Sequence, residues 1–192
     1  MKKRVNRKHK KEVKRAVRTY EDYLLDFEKA ENAELKREIK KKKKKSSNHS
    51  TGYKAFFDGS CEPVNPGGNM GTGIVIISED GEIIFENSQR FPAKKSNTNN
   101  AAEYLALIDV LIWVYNNLDK NSEITIFGDS MLVINQMNGR WGISNGKYVE
   151  YAYEAKDVKS KCSAKIKFKW IPREKNMLAD ELSKDKKMVE LI

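Results

Sequence analysis

Four stretches of this 192-residue chain put a carboxylate where packing alone has little use for one. Ala55-Phe56-Phe57-Asp58-Gly59-Ser60 reads as an apolar, buried strand ending on an aspartate, and Ile124-Thr125-Ile126-Phe127-Gly128-Asp129-Ser130 repeats the pattern. Glu103 sits in the apolar helical run Asn99-Asn100-Ala101-Ala102-Glu103-Tyr104-Leu105, and Asp180 in Asn176-Met177-Leu178-Ala179-Asp180-Glu181-Leu182. Taken singly, each has an ordinary reading: aspartates after strands form turns, and helix glutamates are mostly solvated. Taken together they form an oxygen-only set with no His or Cys, which suits Mg²⁺ or Mn²⁺ over zinc. Aspartates brought side by side repel unless protonated or bridged by a cation. Two such ions about 4 Å apart activate water and stabilise the leaving oxygen of a phosphodiester. The expectation is that all four carboxylates meet in space and hold divalent metal. Glu181 competes with Asp180 for the fourth place; Asn176, at i−4 from Asp180, favours Asp180 if it faces the site. Asp109, six residues beyond Glu103, falls nearly opposite it on the helix and reads as peripheral. A Ser-His-Asp site is excluded, because the histidines, His9 and His49, both lie in the first fifty residues.

The elements that must position these groups follow from periodicity. Alternation puts Asp58 on one strand face with Phe56 and Lys54, and Asp129 on one with Phe127 and Thr125. Functional groups of α/β sheets gather at C-terminal strand ends, so the two aspartates become neighbours if their strands pair in parallel. The chain between them is long enough for that crossover. The full order reads β-β-β-α-β-α-α-β-α, with strands at 54–61, 71–77, 83–91, 124–128 and 166–171 and helices at 99–118, 130–137, 147–161 and 176 to about 187. This is an α/β layered domain with a hairpin-built edge, the hairpin marked by Asp80-Gly81. The 99–118 helix is apolar nearly all round and therefore central, with Thr98 or Asn99 as its cap. The last strand alternates Lys165, Lys167 and Lys169 outward against Ile166, Phe168 and Trp170 inward, as an edge strand does. The glycines from Gly67 to Gly73 run from strand to strand and open no helix, so they form no phosphate cradle.

Charge divides the chain. Residues 1–50 carry 19 Lys+Arg against 8 Asp+Glu, a net of +11, while 51–192 carry 18 against 19, a net of −1. A basic arm on a near-neutral domain suggests a polyanion partner, with a merely solvated tail as the bland alternative. Residues 1–45 read as a lysine-rich, mostly helical extension with an apolar stripe at Val13, Val17, Tyr20, Leu24 and Phe27. About two heptads are short for a coiled coil, so a helix packed on the main domain or marginally stable alone is preferred to a dimerisation helix. Residues 46–52 read as a linker, and 53–192 as the main domain. Cys61 and Cys162 match no metal spacing and suit free thiols in a reducing compartment. No membrane span or secretory signal is expected.

The motifs Phe57-Asp58-Gly59-Ser60, Asn65-Pro66-Gly67, Thr98-Asn99-Asn100 with Glu103, Gly128-Asp129-Ser130, and Trp170 with Asn176 and Asp180-Glu181-Leu182 resemble ribonuclease H type 1 over about residues 53–186. The resemblance implies a ribonuclease H-like five-stranded mixed sheet, order 3-2-1-4-5, with helices on both faces. It also implies cleavage of the RNA strand of RNA–DNA hybrids with two Mg²⁺ ions, or Mn²⁺, leaving 5′-phosphate and 3′-hydroxyl ends. By that likeness Asp58, Glu103, Asp129 and Asp180 hold the metal, Asp58 bridging both ions. Ser60, Asn65, Asn99 and Asn100 match hybrid-contacting positions, which suits reading of 2′-hydroxyls. Ser130, Asn176, Arg173 and Trp141 complete the expected substrate-binding set. The chain departs from the family pattern in three places. The loop before Asp180 lacks the histidine many members carry, leaving Arg173 or Lys175 as the cation there. The 138–148 segment holds only Arg140 and Lys147 as cations, so the basic protrusion of some bacterial members is missing. Residues 1–50 do not resemble the hybrid-binding domain of eukaryotic members; the simplest role for the lysine-rich arm is contact with nucleic-acid phosphates. A cytoplasmic monomer is expected, nuclear or organellar in a eukaryote. The alternatives are a non-catalytic hybrid-binding module of the same fold, or another nuclease of the superfold.

Overall fold

The computed structural model of the chain describes residues 52–184. The basic extension with its apolar stripe, most of the linker, and the stretch after Lys184 into which the last helix is expected to run lie outside these residues. Five strands alternate with four helices: β1 (Gly52–Glu62), β2 (Asn69–Ile77), β3 (Ile83–Phe91), α1 (Asn99–Asn117), β4 (Glu123–Gly128), α2 (Met131–Met137), α3 (Val149–Lys161), β5 (Lys165–Trp170) and α4 (Met177–Lys184), with a 3-10 turn at Arg173–Lys175. The strands form one sheet in the order β3-β2-β1-β4-β5. β1 pairs antiparallel with β2 and parallel with β4, and β4 pairs parallel with β5. The expected architecture and strand order are therefore present.

The core lies where the sequence puts its apolar runs. Ala55 and Phe57 of β1 and Ile124 and Ile126 of β4 are fully buried, as are Tyr104, Leu107, Ile108 and Leu111 of α1. α1 begins at a serviceable cap: Thr98 is extended and its Oγ1 accepts from the Ala101 N–H at 3.1 Å, which satisfies one of the helix's orphan donors. Ser130 does the same for α2 through Val133 N–H. Between these helices and the loop after α2 lies a buried polar knot. Tyr104 donates its hydroxyl to Gln136 Oε1 (2.6 Å), and Gln136 Nε2 donates to the Gly142 carbonyl (2.7 Å).

α4 crosses β1 and β2 at very short range, and two glycines permit it. A Cβ on Gly71 would sit 2.0 Å from the Ser183 carbonyl oxygen, and one on Gly73 would sit 2.3 Å from that of Ala179. Gly71 and Gly73 of the strand thus serve helix packing, while Gly67, at φ +114°, and Gly68, close to the Glu62 and Val64 carbonyls, shape the loop before it.

Two expectations need correction. Trp170 does not point inward: it is 48% exposed, and its indole N–H donates to the Asp129 carbonyl at 2.9 Å. It is the last residue of β5, where the ladder ends and a polar ring edge finds a better partner outside the core than within it. Asp109 is not peripheral but buried, accepting from Gln89 Nε2 at 3.0 Å. Since α1 is buried on all sides over this stretch, it has no outer side at which to leave a carboxylate, and a polar partner from β3 meets it instead. Among the described residues no helix is long and apolar enough to cross a membrane, and both cysteines are free thiols.

Candidate metal centre and cleft

The parallel register of β1 and β4 sets Phe56 opposite Phe127, and their rings stack at 5.1 Å. Asp58 and Asp129 each lie two residues further along, so they leave the C-terminal edge of the sheet as neighbours on that same face. Glu103 arrives from the second turn of α1. It can come close because Gly59 has no side chain: a Cβ there would lie 2.1 Å from the Glu103 amide nitrogen. One carboxylate oxygen from each of Asp58, Glu103 and Asp129 falls within 4.8 Å of the others. Asp180 stands beside this trio rather than in it. Its oxygens accept from Lys184 Nζ at 2.6 and 2.8 Å and from the Arg173 guanidinium.

Burial and mutual repulsion both act on these acids. Burial pushes the Asp58 carboxyl up to about 6; Asp129 and Asp180 add repulsion, and the Ser183 hydroxyl opposes the rise. Burial, then the charges of Asp58 and Asp129, hold Glu103 well above the ordinary glutamate value. One of its oxygens, Oε2, is buried without any hydrogen-bond partner. Burial works on Asp180 in the same upward direction, but its bonds to Lys184 and Arg173 win and keep it below the usual range. Three acids crowded together, two of them biased toward the neutral form and one with an orphaned oxygen, leave room for a cation. All the available donors are oxygens, which fits Mg²⁺ or Mn²⁺ and not a soft metal.

A cleft of about 200 Å³ opens over the trio, walled by Asn99, Arg173 and Lys184 as well as the three acids. The other residues singled out from sequence fall into three groups. Asn65, Asn99 and Asn100 are exposed around the start of α1, with Asn65 Oδ1 accepting from the Asn99 N–H at 3.2 Å. Ser60 lines the cleft, but its hydroxyl is buried and donates to the Ser183 carbonyl at 2.6 Å. Asn176 is buried and holds the site from behind, its Nδ2 donating to the Phe57 carbonyl at 2.9 Å and to Asp129 Oδ1 at 3.3 Å. Ser130 caps α2. Trp141 is 48% exposed on the loop after α2, outside the cleft wall. Sequence reasoning missed Lys184, which pairs with Asp180, and Ser183, whose hydroxyl donates to Asp58 Oδ2 at 2.5 Å. The i, i+4 spacing of Asp180 and Lys184 was the signal available for the first. Nothing local marked the second.

The sequence model of the family described as reverse transcriptase-like matches residues 56–186, which include all four carboxylates. A solved N-terminal RNase H domain from Mycobacterium tuberculosis superposes with a TM-score of 0.63 at 30% identity, covering 73% of this chain and 96% of that one. The chain belongs to the ribonuclease H type 1 family. Another ribonuclease H1 structure, from Halobacterium salinarum, is 29% identical with a TM-score of 0.60, covering 69% of this chain and 94% of that one. A third, LC11-RNase H1 in complex with an RNA/DNA hybrid, is 31% identical with a TM-score of 0.57 and covers 68% of this chain and 92% of that one. The ribonuclease H fold is thus shown by sequence and by superposition together. A curated relative, a bifunctional protein of M. tuberculosis, is 32% identical over 126 residues, which is 63% of this chain but 32% of that protein. The chain therefore matches about a third of that relative's length.

Proposed function

We propose that this chain is an endoribonuclease that hydrolyses the RNA strand of RNA–DNA hybrids, leaving 5′-phosphate and 3′-hydroxyl ends. The observation that carries the reading is the meeting of Asp58, Glu103 and Asp129 within 4.8 Å at the floor of an open cleft. A related protein with the same fold has been solved with a hybrid bound, which supports the choice of substrate.

Asp58, Glu103 and Asp129, with Asp180 beside them, would hold two divalent cations, Mg²⁺ or Mn²⁺, which supply a polarised phosphate and an activated water when bound. The remaining work belongs to the chain's own groups. Asn176 fixes the Asp129 carboxylate and ties it to β1. Asn99 at the cleft wall, with Asn65 and Asn100 exposed beside it at the start of α1, offers amides able both to donate to and accept from the 2′-hydroxyl that distinguishes RNA. Arg173 stands at the cleft wall with its guanidinium on Asp180, placed to meet phosphate oxygens and to help the product phosphate leave, the role the absent loop histidine would otherwise fill.

The deciding assay is Mg²⁺-dependent cutting of an end-labelled hybrid, run beside duplex DNA, duplex RNA and a four-way junction, with Asp129→Asn as the inactive control. Cleavage confined to the RNA of the hybrid is the expected result. Hybrid binding without cleavage at any Mg²⁺ or Mn²⁺ concentration would mean a binding module, and preferential cutting of the junction would mean a different nuclease on this fold.

A further inference from the structure

Ser183 lies in the final turn of α4, completely buried. The contact is made by backbone approach, since Gly73 leaves the space a Cβ would take 2.5 Å from the Ser183 amide nitrogen. Ser60 fastens the same turn from β1 by donating to the Ser183 carbonyl at 2.6 Å. The Ser183 hydroxyl then has two acceptors in reach, the Asp180 carbonyl at 2.9 Å and Asp58 Oδ2 at 2.5 Å. A hydroxyl has one proton to give. A helix serine ordinarily returns it to its own preceding turn, but here the nearer acceptor is a carboxylate, and bonds to ionised acceptors are the stronger kind.

We propose that Ser183 is a positioning residue for cation binding: its hydroxyl pins one oxygen of Asp58 and so fixes the plane in which the other is offered to the metal. The inference rests on the reading of Asp58 as a cation-holding group. The helix–sheet contact has other fastenings, the Ser60 and Ser88 hydroxyls donating to the Ser183 and Leu182 carbonyls at 2.6 Å each. The contribution of the Ser183 hydroxyl is directional. Partners that orient a liganding carboxylate typically change metal affinity 10- to 100-fold when removed.

The comparison that isolates this role uses Ser88. Its hydroxyl donates to the Leu182 carbonyl at 2.6 Å, anchoring the same turn of α4 to β3 without touching a carboxylate. Mn²⁺ binding to the full chain would be measured by electron paramagnetic resonance for the wild type, Ser183→Ala and Ser88→Ala. Loss of the Ser183 hydroxyl is expected to weaken Mn²⁺ binding about tenfold or more, and to raise by the same factor the metal concentration giving half-maximal cleavage. KM for hybrid at saturating metal should stay within about twofold. Ser88→Ala is expected to bind Mn²⁺ as the wild type does, whatever it does to the melting temperature. Should the alanine variant not fold, Ser183→Cys, similar in size with a much weaker donor, takes its place with the same expected loss. Unchanged Mn²⁺ affinity without the Ser183 hydroxyl, or an equal loss in Ser88→Ala, would overturn the assignment while leaving the enzyme reading intact. A wild type that binds no Mn²⁺ would remove both.

Discussion

Asp58 is held in the fold with its carboxyl raised from an ordinary 3.8 to about 6. Between those values the folded protein binds more protons than the unfolded chain. Stability from this group is therefore fully present below about pH 4 and is lost as pH rises through 6. A shift of about two units is worth roughly 3 kcal/mol. Glu103 is raised too and acts in the same direction, while Asp180, held low, contributes stability that is lost as pH falls. Comparing wild type with Asp58→Asn in a chelator takes away the buried charge and, with it, the repulsion it puts on Glu103. The asparagine variant should be more stable by about 2–3 kcal/mol at pH 7.5, with the gap closing toward pH 4, as read by urea unfolding. No such pH-dependent gap would mean that the carboxylate is not strained by its site. Arg173 makes a second prediction at this scale. Losing one charge-assisted contact to phosphate should lower kcat about tenfold in Arg173→Ala, and unchanged turnover would end its assigned role. The carboxylates themselves were legible, because an acid closing an apolar run is conspicuous. Ser183 was not. A serine three places after an aspartate near the end of a short helix reads as a solvated residue, and only the distance between α4 and β1 reveals its partner.

At the scale of elements, the site depends on how closely helices are allowed to approach the sheet. Gly59 brings α1 against β1 and so delivers Glu103 to Asp58. In Gly59→Ala the new Cβ would meet helix backbone, which cannot move aside as a side chain can. A loss of about 2 kcal/mol or more is expected, together with loss of cleavage. Gly52→Ala, where nothing lies within 4 Å, should do neither. Thermal melts and the hybrid assay on both variants check this; a neutral Gly59→Ala would show that Glu103 is placed by something else. Strand register was readable ahead of the structure, since period-two alternation put Asp58 and Asp129 on faces that a parallel pairing makes common. The alternation misled only at Trp170, the terminal position of β5, where there is no further strand to hold the ring inward. Asp109 was misjudged for a related reason. A helical wheel shows that it faces away from Glu103 but not that β3 covers that side as well.

Over the whole molecule the charge is divided, the first fifty residues carrying a net of +11 and the remainder −1. If the extension supplies phosphate affinity that the near-neutral domain lacks, removing residues 1–45 should raise KM, flatten the salt dependence of binding and leave kcat largely intact. Equal hybrid affinity before and after truncation, measured across a salt series, would assign the extension another task. The split was plain from composition and the i, i+4 spacing marked Lys184, whereas the pairing of Asp180 with Arg173 was not legible, because the two stand seven positions apart across a 3-10 turn. One last property follows from β5, which forms the outer margin of the sheet with Lys165, Lys167 and Lys169 at every second place. An unprotected margin would template another copy, backbone to backbone, and like charges at that spacing push the copy away. Replacing all three by threonine should let neighbouring molecules zip together, so that a solution clear for the parent scatters light.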